Sequence, residues 1–432
     1  MRAEKKFSRA LTKRQRLYYL ACCAAHLFCT GRPSNVASRT SPIALLDLHP
    51  LNDAFAAFGA YQAAEQERRR RRLDCACDAL SDCAASWQTL REKVQQQEPT
   101  ALVAGLREAP DRTYDAPERP TPVTAVASDG SQIYPDRHVE PTCYLLNVSR
   151  VAFQYGTLEA PVLDAEPHFE YEGALTEHFD AEHGRVDDEI VSARRDEKEL
   201  EALRDASRRA HRDDRPLVAL ADGTLIRWMI RGMKDRDLEE ELIGRYAALL
   251  EDFRAERLPL ASYISMPGNT DVVNLLRLHL LDGDAEHAEE DPLAGLLDRW
   301  LFAETLAVGE RTATFTSASR IQTRYAEADR ICYFYTRVPD GRTGADEIAR
   351  VEVPRWVADD EALLDRVHAL VASECEKGDG YPMILSEAHE RAVIRAQEKE
   401  RFYQRVERAM QKRGLPPLRR SRKAQSKRRP AV

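Results

Sequence analysis

LVALADGTLIRW, residues 217–228, ends an apolar run in one aspartate, Asp222, followed at once by a glycine turn. About ninety residues earlier the chain does the same in VTAVASDGSQIYP, residues 123–135, where Asp129 holds the same place before Gly130 and Ser131. Each run is continuously apolar and closed by turn residues, the pattern of a strand covered on both faces. In open α/β sheets, ligands bind at the carboxyl ends of such strands. Two of these strands lying side by side bring Asp129 and Asp222 to one cation, because carboxylates that close stay ionised only with compensating positive charge. Hard oxygen ligands select Mg2+ or Mn2+. A single Asp-Gly is an ordinary turn dipeptide. The repetition at two strand ends carries the reading.

Outward from these strands, helix and strand signals interleave. CYLLNVSRVAFQYG, APVLDAEPHFEYEG, PLASYISMP, RICYFYTRV and EIARVEVPRW read as strands. Residues 186–212 read as a charged helix, LIRWMIRGMKDRDLEEELIGRYAALLEDFRAER as one or two helices, and 271–306, 360–376 and 386–410 as further helical stretches. The expectation is an α/β fold with a mixed sheet flanked by helices and helical additions at both ends. No repeat period is present.

Composition and charge divide the chain further. Its 432 residues, 43% hydrophobic and 31% charged, suit a soluble globular protein with a substantial core. Residues 411–432 hold nine Lys/Arg and no Asp/Glu, so of a net charge of −8 the remainder carries −8 − 9 = −17. That tail is expected to be disordered and suited to a polyanion such as DNA. Residues 1–43 begin with a basic then apolar layout like a signal peptide, but the run is too short to span a membrane and contains His26. They are expected to be a dispensable extension. Residues 44–121 form a helical N-terminal region, with Leu48, Leu51, Phe55 and Phe58 on one face and EQERRRRR on a solvated one, ending in the proline-rich linker at 108–121. The catalytic domain is expected at 122–410. Nine cysteines without zinc spacing, and odd in number, point to a reducing, cytoplasmic compartment.

The chemistry narrows by elimination. A DGT at a strand end also suits haloacid-dehalogenase phosphatases, but the nucleophile positions two residues upstream are Ala127 and Leu220, which cannot attack phosphorus. Between the aspartates, SARRDEKELEALRDASRRA forms a helix whose inward side is marked by Leu200 and Leu203. Glu199 is the third-carboxylate candidate, with Glu197 and Glu201 as rivals. The nucleotide-binding pattern GxxxxGK[ST] is absent from the sequence.

The order ASDGSQIYP, KELEAL, LVALADGTLIRW, SYISMPGNTDVVNLLR, ICYFYTRV with IARVEVPRWV, and YPMILSEAHERAVI resembles the NurA nuclease family across about residues 44–405. The resemblance implies an RNase H-like core and a dimer that acts on DNA ends with manganese or magnesium, alongside the hexameric translocase HerA. It implies metal-binding roles for Asp129, Asp222 and a helix glutamate, taken as Glu199, and a site-closing role for His389 in SEAHERA. Tyr263 and Arg311 are expected as phosphate-side neighbours, and Arg195 as a cation facing the substrate. The family often carries a basic residue where Met266 stands. Two other readings stay open: a catalytically weak dimeric adaptor for the translocase, and a phosphoesterase of small substrates.

Overall fold

The computed structural model describes residues 48–96, 102–135, 142–171, 188–227, 236–281, 291–339, 344 and 346–416. The extension expected at 1–43 and nearly all of the basic tail lie outside the described residues. The chain divides into two compact units, Met1–Gln62 and Ala63–Val432. In the first, one 3-10 turn leads into helix α1 (Asn52–Ala85), where Leu48, Leu51, Phe55 and Phe58 are all exposed. Within the second unit, the arginine run of α1 is only partly solvated: Arg68 pairs with Glu65 at 2.8 Å and Arg71 with Glu67 at 3.3 Å, but Arg69 stacks 3.9 Å over the Trp300 ring.

The second unit is built on one sheet. Helix α2 (Trp87–Gln96) precedes two short strands, β1 (Gly105–Leu106) and β2 (Thr113–Tyr114). Next come β3 (Val123–Ser128), β4 (Gly130–Ile133), β5 (Cys143–Tyr155), β6 (Val162–Tyr171), α3 (Asp188–Ala210), β7 (Leu217–Asp222), α4 (Arg236–Ala255) and β8 (Leu260–Ile264). Helices α5 (Asp271–Leu280) and α6 (Asp298–Thr305) lead to β9 (Arg311–Thr312), β10 (Phe315–Thr316), β11 (Ile331–Val338) and β12 (Glu347–Pro354). The chain closes with α7 (Arg355–Ala358), α8 (Glu361–Lys377), α9 (Met383–Ala392) and α10 (Ala396–Gln411).

At the centre the strand order is β6-β5-β3-β7-β8, followed by β12 and β11. β3, β7 and β8 are parallel, while β5 runs antiparallel to its three partners, β3 and β4 along one edge and β6 along the other. This is the RNase H-like arrangement. Side-chain alternation explains why β3 and β7 are mostly apolar, with buried residues on both faces. Val126, Ala219 and Leu260 pack with Leu200 and Leu203 of α3 and with Leu250 and Phe253 of α4. Their neighbours Ala125, Ala127, Val218 and Leu220 pack on the other face with Val367, Leu370 and Val371 of α8 and with Ile384, Leu385 and Ala388 of α9. A strand covered on both faces cannot alternate polar with apolar residues. The charged helix α3 is held by good helix formers, acidic residues in its first turn and basic ones in its last, matching the helix dipole.

Three sequence expectations change. The stretch 108–121 is no free linker: β2 pairs with β9, and Glu108 accepts bonds from the Tyr114 hydroxyl and the Thr314 amide. The acidic region 271–306 holds two helices, α5 and α6, with 282–290 outside the described residues. The helix expected over 386–410 starts at Met383 and is interrupted after Ala392, where the Ala392 carbonyl accepts side-chain bonds from strands β4 and β5. Among the described residues no helix is long and apolar enough to cross a membrane.

His368 on α8 generates a testable consequence. It is fully buried, its Nε2 meets the Gly309 carbonyl at 2.9 Å, and among the described residues its Nδ1 has no hydrogen-bond partner. Burial, with Arg311 nearby, pushes its pKa down from 6.5 to about 4. A base whose folded pKa is depressed binds more protons when unfolded, so its contribution is full above pH ~6.5 and is lost as pH falls toward ~4. The loss reaches about 3 kcal/mol. In urea titrations across this window, His368→Gln is expected to show a shallower acid loss of stability than wild type; equal slopes would remove the assignment.

Candidate active site at the carboxyl end of the sheet

The parallel register between β3 and β7 pairs Ser128 with Ala221, so Asp129 and Asp222 are the next residues on two adjacent strands. The backbone of Asp129 is fixed by Ser149 of β5. The Asp129 amide donates to Ser149 Oγ at 3.0 Å, and the Ser149 amide donates to the Asp129 carbonyl at 2.8 Å. The Asp129 carboxylate accepts from the Gly130 amide and from His389 Nδ1, both at 2.8 Å. Asp222 accepts from the Tyr381 hydroxyl at 3.0 Å. The turn behind it needs glycine: Gly223 has φ +75° and donates its amide to the Tyr263 carbonyl at 3.0 Å.

Helix α3 supplies the third carboxylate. A Cβ added at Gly130 would lie 2.5 Å from Glu199 Oε1 and 2.9 Å from Arg195 Cγ, so glycine here leaves the space that these two side chains of α3 fill beside Asp129. Arg195 reaches Glu199 through Nε and Asp196 through Nη2, each at 3.0 Å, and donates through Nη1 to Gln132 at the same distance. Asp196 is bound in turn by Arg227 at 2.9 Å, and Arg227 lies 4.5 Å over the Tyr246 ring. Burial, then Asp196, with Asp129 adding to them, push the Glu199 carboxyl well above the usual carboxylate range, while Arg195 and Arg227 oppose the shift. Burial also raises Asp222, with Asp129 adding to it and the Tyr381 hydroxyl opposing it. Among the described residues no three His, Cys, Asp or Glu side chains already surround one point at metal-ligand spacing.

The NurA domain family model matches residues 123–394, from the first residue of β3 to two residues past α9. The chain belongs to the NurA nuclease family. The fold is similar to the NurA nuclease from Sulfolobus solfataricus, at 16% identity and a TM-score of 0.43, covering 69% of this chain and 88% of that one. It is also similar to LC9-RNase H1, a type 1 RNase H with the type 2 active-site motif, at 15% identity and a TM-score of 0.20, covering 44% and 84%. No curated protein matches the sequence.

Within this NurA fold, Asp129, Glu199, Asp222 and His389 come together at one end of the sheet. The rivals of Glu199 are engaged elsewhere: Glu197 with Arg194 at 2.6 Å and Arg245 at 3.7 Å, and Glu201 with Lys198 at 2.8 Å. Arg195 is at the site, with its guanidinium committed to the carboxylates. Two expectations need correction. Tyr263 is fully buried beneath Tyr381, its hydroxyl on the Gly380 carbonyl, and cannot touch a substrate. Arg311 is 3% exposed on β9, stacked 4.0 Å over the Tyr114 ring and paired with Asp365, so it braces the far part of the sheet. Met266, exposed and with φ +43°, brings no charge of its own, but its carbonyl accepts from Arg299 Nη1 at 2.7 Å.

Tyr381, Asp196 and Arg227 escaped the sequence reading. Asp196 stands three residues before Glu199, and that helical spacing was a usable signal. Tyr381 and Arg227 had none, because their partners are distant in sequence. One prediction tests the close approach: Gly130→Ala is expected to fold cooperatively yet lose at least about tenfold in nuclease rate as Glu199 is displaced. Gly268→Ala, where a Cβ meets nothing within 4 Å, is the control. Equal activity in the two variants would show that the approach of α3 does not matter.

Proposed function

We propose that this NurA-family protein is a metal-dependent deoxyribonuclease, a 5′ to 3′ exonuclease and single-strand endonuclease acting in DNA end resection. One observation carries the reading: carboxylates from the ends of β3 and β7 and from α3 gather at one end of the sheet, and burial pushes both Glu199 and Asp222 toward protonation, with Asp196 and then Asp129 adding to it at Glu199 and Asp129 at Asp222. Such a cluster is relieved by a hard divalent cation, and its all-oxygen character suits Mn2+ or Mg2+. Asp129, Glu199 and Asp222 would hold the metal, with His389 as a further ligand or proton carrier. When bound, the metal supplies an activated water and neutralises charge on the phosphodiester.

The chain's own residues do the remaining work. Tyr381 orients Asp222 through one carboxylate oxygen. His389 keeps Nδ1 on Asp129, and with its side chain 65% exposed it can exchange a proton with solvent from Nε2. Arg195 holds Glu199 and screens the cluster against an incoming polyanion.

Asp129→Asn and Asp222→Asn are expected to unfold like wild type and to lose roughly three orders of magnitude or more in rate on end-labelled DNA with Mn2+. EDTA should abolish the wild-type activity. Retained activity in either variant would overturn the two-aspartate site, and a wild type inactive on DNA with any divalent metal would favour the adaptor reading.

The family resemblance supports a cytoplasmic homodimer partnered by a HerA-type hexameric translocase. With no nucleotide-binding loop in its own sequence, the protein has no visible means of pulling duplex DNA with ATP. Alone it should cut single strands independently of ATP. With the translocase it should gain ATP-dependent resection of blunt duplex, and equal rates with and without the partner would break the coupling.

A further inference from the structure

His389 is mostly exposed, and its side chain is held at the site by its bond to Asp129. Its position therefore depends on where the backbone of α9 stands. The first turns of α9 are fixed by packing, since Ile384, Leu385 and Ala388 are buried against the sheet and α8. Its last turn carries His389, and there the Ala392 carbonyl has passed the end of the helical ladder and must find a donor elsewhere. Ala392 itself is fully buried.

Two side chains meet that carbonyl. Ser131 Oγ donates to it, and Asn147 Nδ2 donates to it at 2.8 Å and to the Arg391 carbonyl at 3.3 Å. The donors are cross-strand partners, because the β4–β5 register sets Ser131 opposite Asn147. Cross-strand partners share a face of the sheet, so the pair acts as one two-pronged clamp on a carbonyl with two lone pairs. The same face carries Asp129 two residues before Ser131, and Ile133, which packs with Ile394 and Tyr403, two residues after it. Along one strand face, successive residues thus take His389, the end of α9, and the middle of α10.

We infer that Asn147, together with Ser131, is a positioning residue that sets His389 against Asp129 by capping the last turn of α9. Asn147 acts on the backbone behind the histidine and touches no reacting atom. Where the readout is rate, the inference rests on the nuclease reading above; the clamp itself does not.

The test is a double-mutant cycle with Asn147→Ala and His389→Ala on full-length protein, measuring kcat and KM on single-stranded DNA with Mn2+. Asn147→Ala should lower kcat about tenfold or more with KM and melting temperature little changed, and Asn147→Gln, which keeps the donor, should recover part of the loss. In the His389→Ala background the same change should cost less than about twofold. Losses that multiply across the two backgrounds would show that Asn147 acts independently of His389 and would overturn the inference, as would wild-type kcat in Asn147→Ala. Ser131→Ala probes the same clamp if Asn147→Ala fails to fold. Hydrogen exchange at the Val393 amide, which donates to the His389 carbonyl at 3.0 Å, should speed up in either variant whether or not the protein cuts DNA. Unchanged exchange there refutes the clamp, whereas faster exchange in a protein without nuclease activity refutes only the nuclease reading.

Discussion

Two carboxylates side by side at the ends of adjacent parallel strands are the constraint that the rest of this fold answers. The pairing of Ser128 with Ala221 leaves Asp129 and Asp222 no choice but to be neighbours, at an edge where the apolar core gives way to solvent. Burial, with Asp196 and then Asp129 adding to it at Glu199 and Asp129 at Asp222, pushes both carboxyls toward the neutral form, so the cluster is unfavourable without positive charge. The protein supplies part of that charge from α3 and the turn after β7: Arg195 lies on Glu199 and Asp196, and Arg227 lies on Asp196. What remains uncompensated is what a divalent cation would satisfy.

The short ribbon that runs on from Asp129 shows how a period of two can organise a site. Gly130 and Gln132 face α3, one by making room for Glu199 and the other by accepting a bond from Arg195. Asp129, Ser131 and Ile133 face the other way, toward His389, the Ala392 carbonyl and the side chains around Tyr403. Each residue of the ribbon therefore has one task, and a register slip of one residue would exchange the two sides and dismantle both.

The second aspartate turn is held from the opposite flank. Glu352 of β12 accepts from Thr224 Oγ1 at 2.8 Å and from the Leu225 amide at 2.9 Å, and is itself paired with Arg350 at 3.0 Å. Arg350 also binds Asp271 at 3.0 Å and lies 3.5 Å over the Tyr333 ring. Glu352, Arg350 and Asp271 are almost wholly buried, so removing one partner would leave an unpaired charge inside, a loss of about 3–5 kcal/mol. This network ties the position of Asp222 to the antiparallel half of the sheet, far along the chain.

Local pattern was enough to read the strands and the charged helix α3, because apolar runs and helical spacing are properties of neighbouring residues. It was enough also for Asp129 and Asp222, since a carboxylate closing a buried strand is visible in a dozen residues. Their adjacency, the choice of Glu199 over Glu197 and Glu201, and the break after Ala392 were decided by tertiary structure. α3 is rich in acidic residues at every rotation, and the packing of Leu200 and Leu203 settles which one reaches the sheet, into space that Gly130 leaves open. The tyrosine on Asp222 and the clamp on α9 join residues 159 and 245 positions apart. Tyr263 and Arg311 came from the family resemblance, yet burial removes both, because a matching stretch of sequence does not say what covers its side chains.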